Sequence, residues 1–261
     1  MIKGKKVVVV LPAYNAEQTL EKTIAEIDRG IVDLIILVDD ASKDATVNTA
    51  AKMNVLVYRH QVNLGYGGNQ KTCYKLALEQ GADIVVMLHP DYQYPPKLIT
   101  AMAGLIASGM FDIVLGSRIL GGQALRGGMP VYKYSANRAL TFVQNLLLGQ
   151  KLSEYHTGLR AFSRETLARL PLLEDSDGFV FDNQIIVQAL YFGCRIGEIT
   201  APSQYTQESS SIGFLKSVGY GLGVLATTGQ FLMQKMNLRS FRIFDPQAHK
   251  LISGEMPARN H

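Results

Sequence analysis

The sequence predicts an α/β fold in which a mainly parallel β-sheet is flanked by helices, with a helical region at the C-terminal end. Three observations predict it. Short apolar runs alternate with helix-spaced segments through the first half, each early run stops at polar residues, and 47% of the 261 residues are hydrophobic. Alternating strands and helices are typical of parallel sheets that helices cover on both faces.

The first half of the chain is expected to contain five strands and the helices between them. The strands are predicted at residues 7–11, 34–38, 55–58, 84–88 and 113–115, where both faces are apolar or nearly so. The helices are predicted at residues 17–27, 44–53 and 68–80. A further helix begins behind Pro95 and Pro96, because proline is tolerated in the first turn of a helix.

The second half is less regular. Helices are predicted at residues 132–148, 182–192 and 214–236, with a short element at 159–162 and a strand at 195–199. We expect one domain over residues 1–210 and a C-terminal extension over 211–261. Residues 217–234 carry no charge, but glycine, glutamine and threonine dilute the segment, so no transmembrane helix is predicted.

Charge and cysteine content narrow the class of protein. The formal charge of +4 is too small for a nucleic-acid-binding surface, although it permits an anionic ligand or a membrane surface. Cys73 and Cys194 are far apart in sequence and have no histidine or cysteine near them at metal-ligand spacing. We expect two reduced thiols in a cytoplasmic protein.

The segment 83–96 holds the most informative strand end. Asp91 and Gln93 follow a fully apolar strand, and ligands of open α/β sheets collect beyond the carboxyl ends of such strands. An extended backbone would direct both side chains to the same side. A carboxylate beside an amide oxygen suits Mg²⁺ or Mn²⁺. The alternative is a loop with an incidental acid.

Polar residues follow the other early strands as well. Asp39 could hydrogen-bond a ribose or a base, or it could be a simple turn acid. The glycine-rich turn at 65–68 precedes a helix, so its backbone amides could approach a phosphate. This turn has neither the lysine of a P-loop nor the dinucleotide-binding pattern.

Three further groups are candidates for chemistry. Arg118 follows the strand at 113–115 and could hold a diphosphate, or it could be a surface arginine paired with an acid. The segment 154–160 is dense in reactive side chains around a glycine. Asp182 could be the N-cap of its helix or a general base that faces the cleft.

Five motifs in this order resemble those of the family 2 glycosyltransferases, which have the GT-A fold. They are residues 8–15 (VVVLPAYN), 38–46 (VDDASKDAT), 63–65 (NLG), 91–95 (DYQYP) and 116–118 (GSR). Within that family the chain is most similar to catalytic domains of the dolichyl-phosphate mannose synthase type, over about residues 5–210.

The resemblance implies roles for individual residues. Those implied to hold the nucleotide are Pro12, Tyr14, Asp39, Asp40 and Gly65. Asp91 and Gln93 would bind the divalent cation that bridges the diphosphate, and Arg118 would steady the phosphates or the acceptor. The sugar and acceptor would lie near His156, Thr157, Gly158 and Arg160. Asp182 falls where many members carry their catalytic acid residue.

The chain departs from the family pattern at two positions. His89 stands where the family usually has an acid, two residues before the metal aspartate, so a histidine nitrogen is a candidate ligand for the cation. Ala16 replaces the glutamate that often follows Tyr-Asn, and Glu17 comes one position later.

The resemblance implies inverting transfer of a sugar from a UDP- or GDP-sugar by a single displacement. A polyprenyl-phosphate acceptor is already anionic and needs no base, whereas a saccharide hydroxyl would need one, with Asp182 as the candidate. A nucleotidyltransferase would need a basic loop at 12–17, which the sequence lacks. A non-catalytic nucleotide-sugar-binding protein is a further alternative because of His89.

The C-terminal region favours the lipid acceptor. Apolar residues with basic residues close behind them over 214–242 predict a helix that lies in a membrane interface. The enzyme is then expected in the cytoplasm, peripheral at the inner face of the cell membrane. The alternatives are a helix that packs on the sheet or one that forms a homo-oligomer interface.

Overall fold

The computed structural model describes residues 1–205 and 213–252. Over this part of the chain, seven strands form one sheet in the order β3-β2-β1-β4-β6-β5-β7. They are β1 (Val7–Ala13), β2 (Leu34–Asp39), β3 (Leu56–Arg59), β4 (Ile84–Met87), β5 (Ile113–Ser117), β6 (Arg160–Ser163) and β7 (Ile196–Thr200).

The sheet is mainly parallel, which confirms the predicted fold class. β1 pairs in parallel with β2 and β4, β2 with β3, and β5 with β7. β6 is antiparallel to both of its neighbours, β4 and β5. The short element predicted at 159–162 is therefore this inserted antiparallel strand.

Helices cover both faces of the sheet. They are α1 (Leu20–Ala25), α2 (Thr46–Ala50), α3 (Tyr66–Glu79), α4 (Ile99–Ala107), α5 (Val131–Leu148), α6 (Arg164–Arg169), α7 (Phe181–Tyr191) and α8 (Phe214–Lys235). Every residue of β1 and β4 is buried, because apolar clusters pack on each face of these central strands. Burial on both faces explains why these strands read as continuous apolar runs.

Helix boundaries differ from the predicted ones where loops bind each other. α1 begins at Leu20 rather than at residue 17, because Glu17 is tied to the loop after β2. Its carboxylate accepts the N–H of Ala45 at 2.6 Å, and its own N–H donates to Asp44. α6 was not predicted; it is six residues long, and the side chain of Ser163 caps it by accepting the N–H of Thr166.

α8 packs against α5 and α7. Gln144 of α5 donates to Thr228 of α8 at 3.1 Å, and a Cβ on Gly223 would lie 2.5 Å from Val180. The predicted boundary between residues 210 and 211 lies outside the described residues, so the division into domains stays a prediction. None of the described helices is long and apolar enough to cross a membrane.

Candidate active site

Asp39 ends β2 with a buried oxygen that has no partner. Oδ2 accepts the N–H of Ser42 at 3.1 Å and lies 3.4 Å from Nε of Arg59. Within the described residues, Oδ1 is buried and accepts no hydrogen bond. A buried carboxylate oxygen without a donor is costly. Oδ1 therefore fits an N–H or O–H group that the protein itself does not supply, such as one on a base or a ribose.

Tyr14 and Pro12 lie beside Asp39. Pro12 is buried in β1, and Ala13 is opposite Asp39 in the parallel register. Tyr14 follows directly and is 51% exposed, so an aromatic face is available near the carboxylate. The N–H of Asn15 donates to Oγ of Ser42 at 2.8 Å and ties the two loops together.

Asp40 shapes the loop that leads into α3. Its carboxylate accepts the N–H groups of Leu64 and Gly65 at 2.8 and 3.1 Å and forms a hydrogen bond of 2.8 Å with Nδ1 of His60. The side chain is almost fully buried. The structure thus gives Asp40 a role in building the loop.

Most of the amides at the start of α3 donate to acceptors within the protein. The N–H of Gly65 donates to Asp40 and to Asn63, and the N–H groups of Gly67 and Gly68 donate to the carbonyl of Asp177. Three of the four amides in this turn thus already have acceptors in the protein, and a phosphate contact through the turn stays a prediction. Gly65 has a φ of 87°, and a Cβ on it would lie 2.7 Å from the carbonyl oxygen of Asp177.

The turn after β4 is bent rather than extended. Tyr92 has a φ of 56°, and the N–H of Gln93 donates to Oδ1 of Asp91 at 3.0 Å. The expectation of an extended backbone here was wrong, because the turn folds back on the carboxylate. Tyr92 holds the turn to α1, since its hydroxyl donates to Glu26 and Nζ of Lys22 lies 3.6 Å from its ring centroid.

A polar network joins this turn to α3 and α7. The hydroxyl of Tyr66 donates to Asp182 at 2.6 Å and lies 2.8 Å from Nε2 of His89. Asp182 also accepts from Gln70 at 2.9 Å and from Nη1 of Arg160 at 2.8 Å. Arg160 thus contacts Asp182 directly, and His89 is linked to Asp182 through Tyr66, which was not singled out from the sequence.

Asp182 is not the N-cap of α7. Val180 occupies the cap position, and the carboxylate of Asp182 lies against Arg160 instead of the first amides of the helix. Arg160 is fully buried and also donates to the carbonyl of Thr157 through Nε and Nη2. The N-cap alternative is therefore wrong, and Asp182 is part of a buried ion pair.

Arg118 forms a second buried ion pair. Nε and Nη2 donate to Glu154, which is fully buried and also accepts from Asn137 at 2.7 Å. Nη1 of Arg118 donates to the hydroxyl of Tyr205 at 2.7 Å. Arg118 is paired with an acid, as one of the two sequence interpretations held, but the pair is buried rather than on the surface.

His156 and Thr157 contact the two ion pairs through their carbonyl groups, and Gly158 follows them in the chain. The carbonyl of His156 accepts from Arg118, and the N–H of Gly158 donates to the hydroxyl of Tyr94 at 3.0 Å. A Cβ on Gly158 would lie 2.8 Å from the His89 ring, so glycine permits this close approach. The Tyr94 hydroxyl stays protonated, since burial raises its pKa to about 12.

Burial keeps both histidines of the site neutral. It lowers the pKa of His89 and lowers the pKa of His156 to about 4. Nδ1 of His156 forms a hydrogen bond of 2.8 Å with the hydroxyl of Tyr220 on α8. Within the described residues, Nε2 of His156 is buried without a partner. Burial also raises the pKa of Tyr66, which remains a hydroxyl donor.

Comparison with known proteins identifies the family. The model of glycosyl transferase family 2 matches residues 8–170, more than half of the chain. The chain belongs to glycosyltransferase family 2. It is 30% identical to the UDP-N-acetylglucosamine–dolichyl-phosphate N-acetylglucosaminyltransferase of Methanococcus voltae, over 83% of this chain and 92% of that protein. It is 23% identical to the polyprenol monophosphomannose synthase of Mycolicibacterium smegmatis, over 80% of each chain.

Solved structures establish the GT-A fold of this glycosyltransferase. The glucosyl-3-phosphoglycerate synthase of Mycobacterium tuberculosis, crystallised with Mn²⁺, uridine diphosphate and phosphoglyceric acid, superposes with a TM-score of 0.65. The two chains are 20% identical, and the match covers 91% of this chain and 80% of the synthase. The fold and the family predicted from the sequence are thus confirmed.

The turn after β4 carries residues that could hold a divalent cation together with a substrate. Within the described residues, no three His, Cys, Asp or Glu side chains form a group that could hold a metal ion alone. The residues of the turn are His89, with an imidazole, Asp91, with a carboxylate, and Gln93, with an amide. The side-chain amide of Gln93 makes no hydrogen bond with the described residues. Such sites complete their coordination with phosphate oxygens and water.

Three residues of the site, Tyr66, Gln70 and Tyr220, were not predicted, and Glu154 was predicted only as part of the segment 154–160. One signal was available in the predicted third helix, where Tyr66, Gln70 and Tyr74 follow each other at spacings of four. The Tyr74 hydroxyl donates to Gln70 at 2.8 Å, so these residues line one side of α3. Glu154 lies in the reactive segment at 154–160, but its partner Arg118 is 36 positions away.

Proposed function

We propose that this glycosyltransferase moves a sugar from a UDP- or GDP-sugar to a polyprenyl-phosphate lipid, with inversion at the anomeric carbon. The bond from that carbon to the leaving diphosphate breaks as a bond to an acceptor phosphate oxygen forms. The relative from Methanococcus voltae, named for a UDP-sugar donor and a dolichyl-phosphate acceptor, supports this acceptor class.

One observation carries the lipid acceptor: large apolar side chains are exposed on two helices, α5 and α8, that pack against each other. On α5, Phe142 and Leu146 are 67% and 71% exposed; on α8, Leu222 is 64% exposed, with Val218 and Leu225 beside it on the same helical face. We call these five residues the apolar face. Large apolar side chains clustered on an otherwise polar surface favour contact with a membrane or a partner protein.

Charge and position favour a membrane. Lys216, Lys235 and Arg239 lie on or just after α8 and are exposed, as anchors for anionic headgroups are. The Tyr220 hydroxyl joins α8 to His156 in the site. A lipid held at the apolar face would therefore have its phosphate near the polar network. We propose that the enzyme works peripherally at the inner face of the cell membrane.

The state of Asp182 supports a phosphate acceptor over a saccharide hydroxyl. Its carboxylate accepts from Tyr66, Gln70 and Arg160. A general base needs a lone pair aimed at the acceptor proton, and these three donors compete for it. A phosphate acceptor is already an anion and requires no proton transfer, so Asp182 can keep its structural partners during the reaction.

The remaining residues are proposed to bind the donor. Asp39 would accept a base or ribose donor at Oδ1, and the ring of Tyr14 would stack on the base. A divalent cation, Mn²⁺ or Mg²⁺, held by Asp91, Gln93 and His89 would offset the charge of the leaving diphosphate. We propose that Arg118 supports the phosphates while it remains paired with Glu154. Its contact with the His156 carbonyl places it beside the proposed sugar and acceptor site.

The test is transfer of radiolabelled sugar into an organic-soluble lipid. Purified protein is incubated with UDP- or GDP-sugars, Mn²⁺ and either undecaprenyl phosphate or a water-soluble saccharide. We expect lipid product from one donor class, lost with chelator and in Asp91→Ala. Product on the saccharide alone, abolished in Asp182→Asn, would establish the alternative acceptor and refute the lipid assignment.

A further inference from the structure

The hydroxyl of Tyr66 lies between a carboxylate and an imidazole. It is 2.6 Å from Oδ2 of Asp182 and 2.8 Å from Nε2 of His89. The Tyr66 and His89 rings are also stacked, with centroids 5.3 Å apart. The family match assigns no function to Tyr66 or to this contact. His89 stands where family 2 glycosyltransferases usually have an acid, two residues before Asp91.

Counting protons fixes the direction of both hydrogen bonds. An ion-paired carboxylate only accepts, so the single proton of the Tyr66 hydroxyl goes to Asp182. The oxygen of Tyr66 can then only accept from His89, which places a proton on Nε2. A neutral imidazole carries one N–H, so the lone pair of His89 is on Nδ1.

Nδ1 is placed where a ligand can reach it. Within residues 1–205 and 213–252 it makes no hydrogen bond, and it is not among the buried polar atoms that lack a partner. Asp91 and the side-chain amide of Gln93 follow in the same turn, and that amide has no hydrogen bond with the described residues either. Nitrogen, carboxylate and amide donors thus come from five consecutive residues.

We propose that Tyr66 is a positioning residue that holds His89 in the tautomer whose Nδ1 binds the divalent cation, and that this nitrogen makes the site select Mn²⁺ over Mg²⁺. The inference rests on the proposed function, because the cation is the one shared with the donor diphosphate. It adds the binding atom, the residue that orients it and the resulting metal preference.

Two physical effects produce the preference. Mg²⁺ binds oxygen ligands and accepts imidazole poorly, whereas Mn²⁺, as a transition metal, accepts a nitrogen ligand more readily. A metal-binding imidazole becomes more basic when its other ring nitrogen donates a hydrogen bond that leads to a carboxylate, as His89 does through Tyr66 to Asp182. Removal of such outer partners typically lowers metal affinity by about 10- to 100-fold.

The direct test is pulsed electron paramagnetic resonance of Mn²⁺ bound to the full chain with UDP. We expect ¹⁴N coupling from a directly bound imidazole together with ³¹P coupling from the diphosphate. In His89→Asp, the ¹⁴N coupling should disappear while the ³¹P coupling remains. Mg²⁺ should also compete better for Mn²⁺ in that variant, because a carboxylate replaces the nitrogen.

Tyr66→Phe tests the positioning role. It keeps the stacked ring and removes only the hydroxyl, so we expect Mn²⁺ affinity in the presence of UDP to fall about 10-fold or more. Tyr191→Phe is the matched control, since its hydroxyl accepts from Gln234 on α8 and is remote from the turn. Mn²⁺ affinity of the control should equal that of the unmodified chain.

The outcomes separate this inference from the proposed function. ³¹P coupling without ¹⁴N coupling in the unmodified chain overturns the inference and leaves the donor site intact. Equal Mn²⁺ affinity in Tyr66→Phe and Tyr191→Phe overturns the positioning role. ¹⁴N coupling that depends on His89, in a protein that transfers no sugar to lipid, supports the inference and refutes the acceptor assignment alone.

Discussion

Arg160 and Asp182 form an ion pair that is almost wholly removed from water. A buried charge is tolerable only while its partner is present, so loss of one member costs more than the pair contributes. The Asp182 carboxylate also accepts hydrogen bonds from Tyr66 and Gln70, so the ion pair helps to position these two side chains in the site. At this scale, stability and function depend on the same atoms.

Replacing Arg160 with methionine should destabilise the protein strongly. Arg160→Met leaves Asp182 buried without its cation, which typically costs 3–5 kcal/mol. Urea unfolding followed by circular dichroism measures the loss. Arg195→Met is the control, because Arg195 pairs with Asp112 at the surface and is 57% exposed, so we expect a loss of at most about 1 kcal/mol. Equal losses would contradict the burial argument.

His156 should make the protein sensitive to mild acid. Its pKa is about 4 in the folded protein and 6.5 as the ordinary value, so between these pH values the unfolded chain binds more protons. The free energy of unfolding therefore falls as pH drops from 6.5 to 4, by roughly 3 kcal/mol if the whole shift is expressed. Urea unfolding at several pH values measures the slope.

In His156→Asn this contribution should be missing. The asparagine amide can retain a hydrogen bond to Tyr220 but does not titrate, so the stability of the variant should fall less steeply below pH 6.5. A slope equal to that of the unmodified chain would show that His156 does not carry the effect.

The individual polar residues of the site could be predicted from the sequence, but their contacts with one another could not. Asp182, Arg160 and His89 stood out because each departs from its apolar surroundings or matches a motif. Tyr66 and Asp182 are 116 positions apart, and no local pattern reports such a contact. The bend at Tyr92 was also unpredictable, because a positive φ is uncommon for a residue other than glycine.

At the scale of elements, the start of α3 is pressed against the segment before α7. A Cβ on Gly67 would lie 2.4 Å from the carbonyl oxygen of Ser176 and 2.7 Å from Cβ of Phe181. The absence of a side chain at this position therefore allows the two segments to meet. Because the segments are this close, the carbonyl of Asp177 can accept the N–H groups of Gly67 and Gly68.

Gly67→Ala should separate these segments and destabilise the fold. Forcing an extra methyl group into a packed contact costs about 2 kcal/mol or more. Gly219→Ala, on the exposed side of α8 with nothing within 4 Å of the added Cβ, should instead stabilise by up to about 1 kcal/mol. Guanidinium unfolding distinguishes the two, and a stable Gly67→Ala would mean that the contact is loose.

Elements were predicted well where burial is two-sided and poorly where loops interact. β1, β2 and β4 lie within two residues of their predicted bounds, because their apolar runs stop at polar loops. α1 is shorter than its apolar spacing suggests, since Glu17 binds the loop after β2. The antiparallel direction of β6 depends on the path of the chain from α5, which periodicity does not encode.

Across the molecule, the apolar face consists of exposed large side chains on the described α5 and α8. It shares α8 with Tyr220, so the helix that would meet the lipid also contacts the site. The sequence predicted the contribution of 214–242, but not that of α5, because the exposure of Phe142 and Leu146 depends on how α5 and α8 pack together.

Replacing Phe142 and Leu222 with serine should weaken membrane binding. Burial of each large apolar side chain in the membrane contributes about 1.5 kcal/mol to the free energy of binding. The double variant should therefore bind vesicles with anionic lipids at least 10-fold more weakly. Vesicle sedimentation measures the partition. Met110→Ser, which alters an exposed residue away from this face, is the control. If the double variant instead dissociates an oligomer, the face is an interface between copies of the chain.

The insertion of β6 also has a consequence for synthesis of the chain on the ribosome. One edge of β4 pairs with β1, which precedes it in the chain, and the other pairs with the strand that begins at Arg160, with Val85 opposite Phe162. Until that strand is synthesised, β4 has unpaired backbone groups along one edge, and its four side chains are all apolar. Such edges recruit other chains. Slower translation should therefore lengthen this interval and make the yield of folded protein depend more strongly on chaperones.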